Sequence, residues 1–164
     1  MTTTYVITGA NRAVGRGIAD IILTRPNITL FALVRNPSHG TSQSLVSASQ
    51  EKGADCKAVL IKYDASDPTS AELAMEEIKS VHGLTSLDVV IANAGFVAYA
   101  GPSVKASPSD YIDHFTANTL GPLTLFGATA PLLQRSSDVA SIASEPANSS
   151  PSPRPWAAPG AHQN

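Results

Sequence analysis

Tyr5-Val6-Ile7-Thr8-Gly9-Ala10-Asn11-Arg12-Ala13-Val14-Gly15-Arg16-Gly17 is the stretch on which the fold turns. A short apolar run with β character stops at Gly9, and a helical pattern takes over from about Val14 to Thr24. Ile18, Ile21 and Ile22 share a face of that helix, and Pro26 ends it. A glycine-rich turn between strand and helix lets backbone come close to a pyrophosphate. The helix N-terminus adds N–H donors and partial positive charge. An ordinary strand–helix turn has the same appearance, so the neighbouring segments must decide between the two.

They repeat the alternation. Ile28–Val34 reads as a second strand ending in Arg35-Asn36-Pro37, and a Ser-rich helix around Thr41–Lys52 leads to Gly53. Ala58–Ile61 is the third strand. Asp67 is placed to cap the next helix, Pro68 suits its first position and Gly83 its end. Leu87–Ala92 is the fourth strand, and its consecutive Val89, Val90 and Ile91 suit a strand covered on both faces. Ser107-Pro108 opens a long helical segment reaching about Gln134. Strands separated by helices imply right-handed crossovers and an α/β, doubly wound parallel sheet of four strands. The first strand belongs at its centre, with the second and third on one side and the fourth on the other.

Residues 1–135 therefore form one domain. From Ser136 to Asn164, 19 of 29 residues are Ser, Pro, Ala or Gly, which leaves no sustained apolar period. Pro151, Pro153, Pro155 and Pro159 exclude regular helix there. Val139–Ile142 is the one candidate for a fifth strand, and the remainder of 136–164 reads as a disordered tail.

A net charge of −2 gives no reason to invoke nucleic acid or a membrane surface. No apolar stretch approaches the roughly 18–20 residues of a membrane span. The start of the chain carries no basic leader, and the single Cys56 fits a reducing compartment, so a cytoplasmic protein is expected. His39, His82, His114 and His162 show no metal-ligand spacing with Cys56 or carboxylates, and no metal is expected.

The chemistry-bearing residues stand at the C-terminal ends of strands. Arg35 follows the second strand, where a carboxylate would suit the ribose hydroxyl of NAD. A guanidinium there, with Arg12 in the glycine turn, suits the 2′-phosphate of NADP(H). Asp64 ends the third strand and can accept from an adenine amino group or close an Asx turn. Asn93-Ala94-Gly95 ends the fourth strand in a small-residue turn against which ribose can lie. Pro122 lacks an N–H, so the carbonyl of Asn118 loses its helical donor, and a kink is expected.

Thr8-Gly9, Gly15, Asp64, Asn93-Ala94-Gly95 and Asn118, in this order and spacing, resemble the short-chain dehydrogenase/reductase family. The wording of Val34-Arg35-Asn36-Pro37-Ser38 and Gly121-Pro122-Leu123 is similar to fungal members of the norsolorinic acid ketoreductase type. The resemblance spans about residues 4 to 135. It implies a Rossmann-type domain and hydride transfer between NADPH and a ketone or alcohol of small size. It also implies cofactor contacts at Thr8, Gly9, Asn11, Arg12, Val14, Gly15, Arg35, Asp64, Asn93, Ala94 and Gly95. Asn118 would hold a relay water through its carbonyl. Ser144 is the residue that falls where the family's substrate-orienting serine follows a fifth strand.

Two departures qualify that reading. Ala13 occupies the family's middle-glycine position, which matters if φ there is positive. No tyrosine or lysine follows Asn118, and none of Tyr5, Tyr63, Tyr99 and Tyr111 has a lysine four residues on, so the family's Tyr-x-x-x-Lys pair is absent. The sequence thus resembles a C-terminally incomplete member. A catalytically inactive nucleotide-binding module, alone, as a homo-oligomer or paired with a full-length homologue, is the alternative, together with a non-functional fragment.

Overall fold

The computed structural model of the chain describes residues 2–51 and 55–133. Four parallel strands, β1 (Thr3–Thr8), β2 (Ile28–Val34), β3 (Cys56–Lys62) and β4 (Val89–Ile91), stand in the order β3-β2-β1-β4. They are joined by α1 (Ala13–Ile22), α2 (Gly40–Glu51) and α3 (Ser70–His82). The chain steps from β1 out to β2 and β3, then returns to pair β4 with the other side of β1. This is the expected α/β doubly wound sheet of Rossmann type, and its crevice opens where the strand order reverses.

The period-2 alternation of strand side chains sorts the core into two layers. Tyr5, Ile7, Leu30 and Ala32 meet Ala19, Ile22 and Leu45 on the α1–α2 face. Val6, Phe31 and Leu33 meet Met75, Ile78 and Leu87 on the α3 face. All seven residues of β2 are buried, as a strand covered on both faces requires. Burying a side chain of the size of Leu30, Phe31 or Leu33 contributes roughly 1.5–3 kcal/mol, so this strand anchors both layers.

Two local expectations need correction. Ile21 is 65% exposed, because α1 turns Gly15, Ala19 and Ile22 inward instead. The helix after β3 starts at Ser70, with Thr69 as its N-cap residue. Asp67 instead closes a turn ahead of it, its Oδ1 accepting from the Thr69 N–H (2.9 Å) and hydroxyl (2.8 Å). The long segment after Ser107 breaks around Asn118, where Pro122 led to the expectation of a kink. It comprises α4 (Pro108–Phe115), a π-helical turn (Thr116–Leu120) and α5 (Gly121–Thr129).

Ser107 and Asp110 form a reciprocal capping box at the start of α4. In the π turn the Gly121 N–H reaches back to the Thr116 carbonyl, an i→i+5 bond. Pro122 cannot continue the ordinary ladder, and one extra residue is accommodated just ahead of it. After α5 the chain returns to the sheet. Leu133 forms a parallel bridge with Leu87, and the Leu87 N–H donates to the Leu132 carbonyl (2.7 Å). The N–H of Asp88 donates to Thr4 of β1 (3.3 Å). Successive N–H groups point to opposite sides, so Leu132–Leu133 run on the side of this strand away from β1. Val139–Ile142 and the expected tail at 136–164 lie outside the described residues. No described helix is long and apolar enough to cross a membrane.

Candidate nucleotide-binding cleft

The cleft opens over the C-terminal ends of β1, β2, β3 and β4 and has a volume of about 940 Å³. Its base is the glycine turn after β1, where Gly9 adopts φ +68°. A Cβ on Gly9 would meet the Asn93 amide at 3.2 Å and the Ala94 Cα at 3.3 Å. One on Gly15 would fall on the Gly9 carbonyl and the Asn93 amide, which cannot both move aside. The two glycines thus let the start of α1 sit directly against the turn after β4.

Thr8 fixes that turn from below. Its Oγ1 accepts from the N–H of Asn93 (2.9 Å) and of Ala94 (2.8 Å), while Asn93 Nδ2 donates to the Thr8 carbonyl (3.0 Å). Thr8 and Gly15 are therefore buried behind the cleft rather than in its wall. Gly9, Asn11, Arg12, Val14, Arg35, Asp64, Asn93, Ala94 and Gly95 do line it. Asn11 turns its amide sideways onto the Thr41 and Ser42 hydroxyls (3.0 Å each), tying the glycine turn to α2. Arg12 and Arg35 are exposed at the cleft, and neither guanidinium has a hydrogen-bond or ion-pair partner among the described residues.

Asp64 does close an Asx turn, with Oδ1 accepting from the Ser66 N–H (3.0 Å), and its other oxygen carries no bond among the described residues. Beside it Tyr63 is buried in the cleft wall and donates to the Gly121 carbonyl at 3.3 Å. Burial, and then the Asp64 charge, push the Tyr63 hydroxyl up to about 12. This tyrosine serves as a neutral hydrogen-bond donor holding the π turn against β3, and is no acid for chemistry near neutral pH.

Asn118 lies in the π turn, near the lining residue Ala117 but outside the wall itself. Its side chain grips the backbone of Phe96, accepting from the N–H and donating to the carbonyl at 2.8 Å each. His114, one α-turn earlier, accepts from the Ala98 N–H through Nε2 at 2.9 Å. Together they hold the loop after β4 at the cleft mouth. Ser144 falls outside the described residues. Twelve of the 21 lining residues were not singled out as cofactor contacts by the sequence, His39, Tyr63 and Phe96 among them. Only nearness in sequence could have pointed to them: His39 to Arg35, Tyr63 to Asp64 and Phe96 to Gly95. Among the described residues no group of three or more His, Cys, Asp or Glu is placed to hold a metal.

The sequence profile described as short chain dehydrogenase matches residues 3–154. The chain belongs to the short-chain dehydrogenase family. Among curated members of this oxidoreductase family, the norsolorinic acid ketoreductase nor1 of Dothistroma septosporum is 36% identical over 134 residues, covering 81% of this chain and 48% of its own. The norsolorinic acid ketoreductase of Aspergillus parasiticus is 33% identical over 135 residues, covering 82% and 48%. The solved NADPH-bound carbonyl reductase from chicken fatty liver superposes with a TM-score of 0.70 at 26% identity, over 80% of this chain and 48% of that one. The chain spans about half the length of the curated relatives it matches. Nicotinamide cofactors are the ligands of this family.

In a short-chain dehydrogenase chain the Ala13 substitution acquires a definite meaning. Ala13 adopts φ +46°, the left-handed region that favours glycine. The position does require positive φ, and the methyl group is carried there under strain.

Proposed function

We propose that these residues form the NADP(H)-binding half of a ketone-reducing short-chain dehydrogenase. The observation that carries the reading is the pair of unpartnered guanidiniums, Arg12 and Arg35, on the wall of a cleft whose base is a glycine turn. Two fixed cations in one cleft suit a phosphate ester far better than a pair of ribose hydroxyls, through charge-assisted and bidentate hydrogen bonds. The glycine turn suits the cofactor as well, since Gly9 and Gly15 let the N-terminus of α1 stand against the turn after β4 at the cleft base. The names of the curated relatives and of the NADPH-bound carbonyl reductase support the same assignment.

When bound, NADPH supplies the hydride that reduces a carbonyl. The contribution of this chain is placement. Gly9 and the start of α1 receive the pyrophosphate, and Arg12 and Arg35 the 2′-phosphate. Asp64 meets the adenine amino group, and Asn93-Ala94-Gly95 carries the ribose on the nicotinamide side. The Asn118 carbonyl is assigned to a relay water, the role that its place ahead of Pro122 suits. The side chain of Asn118 is committed to Phe96 and only positions the loop.

A second reading, a nucleotide-binding module without turnover, is favoured by one observation. All four tyrosines precede Asn118, and none has a lysine four residues on. A positioned general acid typically contributes about 10²–10⁴-fold, so these 164 residues are expected to bind NADPH without measurable ketone reduction.

Titration of the chain with NADPH and NADH, followed by cofactor fluorescence, tests the proposal. Preference for NADPH is expected, reversed in Arg35→Asp. Equal affinities would remove the NADP(H) assignment, and ketone reduction at ordinary reductase rates would remove the second reading.

A further inference from the structure

We infer that His39 is a third, direct ligand of the 2′-phosphate, presenting a neutral imidazole with its proton on Nε2; this rests on the NADP(H) reading above. His39 lines the same cleft as Arg12, Arg35 and Asn36. It stands immediately before α2, where its carbonyl accepts from the N–H of Ser42 (2.9 Å) and of Gln43 (3.0 Å). Its ring serves as the side-chain cap, because Nδ1 accepts from the Thr41 N–H at 3.3 Å.

A second donor reaches the same nitrogen. The Thr41 hydroxyl lies 3.0 Å from Nδ1 and itself accepts from Asn11 Nδ2 at 3.0 Å. The Thr41 N–H can only donate, so Nδ1 presents its lone pair to it, and the neighbouring hydroxyl then points its proton at the same nitrogen. Two donors on Nδ1 require a lone pair there, which assigns the single proton of the neutral ring to Nε2. Nε2 has no partner among the described residues.

The loop that carries the ring is held closed. Asn36 Oδ1 accepts from the Ser38 N–H (3.0 Å), and the Asn36 carbonyl accepts from the Ser42 hydroxyl (2.9 Å) and the His39 N–H (3.2 Å). An oriented donor loses less freedom on binding than a loose side chain does. The two arginines supply charge, and the imidazole supplies one directional bond. A phosphate has acceptor oxygens enough for all three, whereas the 2′-hydroxyl of NAD(H) offers a single oxygen.

His39→Ser separates the ligand role from the capping role, since serine is a good N-cap but has no donor at the reach of Nε2. In the full 164-residue chain this variant is expected to weaken NADPH binding about tenfold, the scale of one hydrogen bond to a charged group, and to leave NADH unchanged. Adenosine 2′,5′-bisphosphate should lose affinity in parallel, and adenosine 5′-monophosphate should not. His39→Gln, which restores a donor amide, should recover part of the loss. Nitrogen NMR of the imidazole should show the Nε2-protonated tautomer, with Nε2 shifting on addition of the bisphosphate but not of the monophosphate. Equal weakening of NADPH and NADH would assign His39 to helix capping and overturn the inference, as would unaltered NADPH binding or an Nδ1-protonated ring. If the wild-type chain does not distinguish the cofactors, the NADP(H) reading falls and this inference with it. If Arg35→Asp abolishes the preference and His39→Ser keeps it, only the His39 assignment falls.

Discussion

At the first residue of α1, Ala13 holds φ at +46° with its methyl group exposed. The left-handed region costs an L-residue about 1–2 kcal/mol through contact of Cβ with the following carbonyl. Ala13→Gly removes that contact and buries nothing less, because the methyl group packs against no core residue. Against the gain stands the greater freedom of glycine in the unfolded chain, roughly 0.5–1 kcal/mol. The difference lies between about 0 and 1.5 kcal/mol, with a central value of roughly 0.75 kcal/mol of net stabilisation. For a urea dependence of roughly 2 kcal/mol per molar, the unfolding midpoint should rise by about 0.4 M. NADPH affinity should rise as well, because the turn that faces the cofactor is relieved. Gly15→Ala, a methyl group two residues away, should do the opposite on both measures, since its Cβ falls on backbone at Gly9. A midpoint that stays put or falls in Ala13→Gly would refute the strain argument.

Two further outcomes follow from proton linkage and capping. The folded Tyr63 hydroxyl titrates at about 12 against an ordinary 10, so the folded state binds that proton more tightly. Its contribution is complete below pH 10 and is lost as pH rises towards 12, so alkaline stability curves should flatten over that window in Tyr63→Phe; superimposable curves would contradict the assignment. Ser107→Ala removes the capping box of α4 and should cost about 1 kcal/mol in urea unfolding. The Ser107 hydroxyl first, and then its N–H, hold the Asp110 carboxyl below the usual range, a contribution present above the unfolded titration and lost as pH falls. Loss of acid-side stability should therefore shrink in Ser107→Ala, and an unchanged acid limb would count against it.

Strand order was legible because each apolar run ends at a residue that cannot continue it. Gly9 takes positive φ, Arg35 leaves the core, and Asn93 turns back onto Thr8. Helix beginnings were less so, since Asp67 can cap a helix or a turn and only the satisfied Thr69 hydroxyl shows which. Pro122 explained that the last helix must break. The place of the extra residue is set instead by tertiary contact, with Gly121 packed against Ala65 and bonded to Tyr63. Nine of the 21 residues of the cleft wall could be read from motif positions, those at the ends of β1 to β4. The part played by His39 could not, because it depends on a proton placed by the backbone N–H of Thr41, a matter of loop geometry and not of residue type.

The clasp between Thr8 and the Asn93-Ala94 turn has a consequence for the order in which the molecule assembles. It joins groups 85 and 86 residues apart, whereas β1 and β2 meet across only about 25. Loop-closure entropy grows with the logarithm of separation, so closing the longer span costs about 1 kcal/mol more. The clasp also secures β4, a strand of three half-buried residues, where β2 contributes seven buried ones. Strands β1 to β3 with their helices are therefore expected to be native before β4 docks, and β4 to be the first strand to leave when the sheet frays. One lip of the cleft belongs to those three strands and the other to the latecomer. A dinucleotide bridging both lips thus completes the tertiary structure as it binds, and its affinity carries within it the free energy of docking the fourth strand.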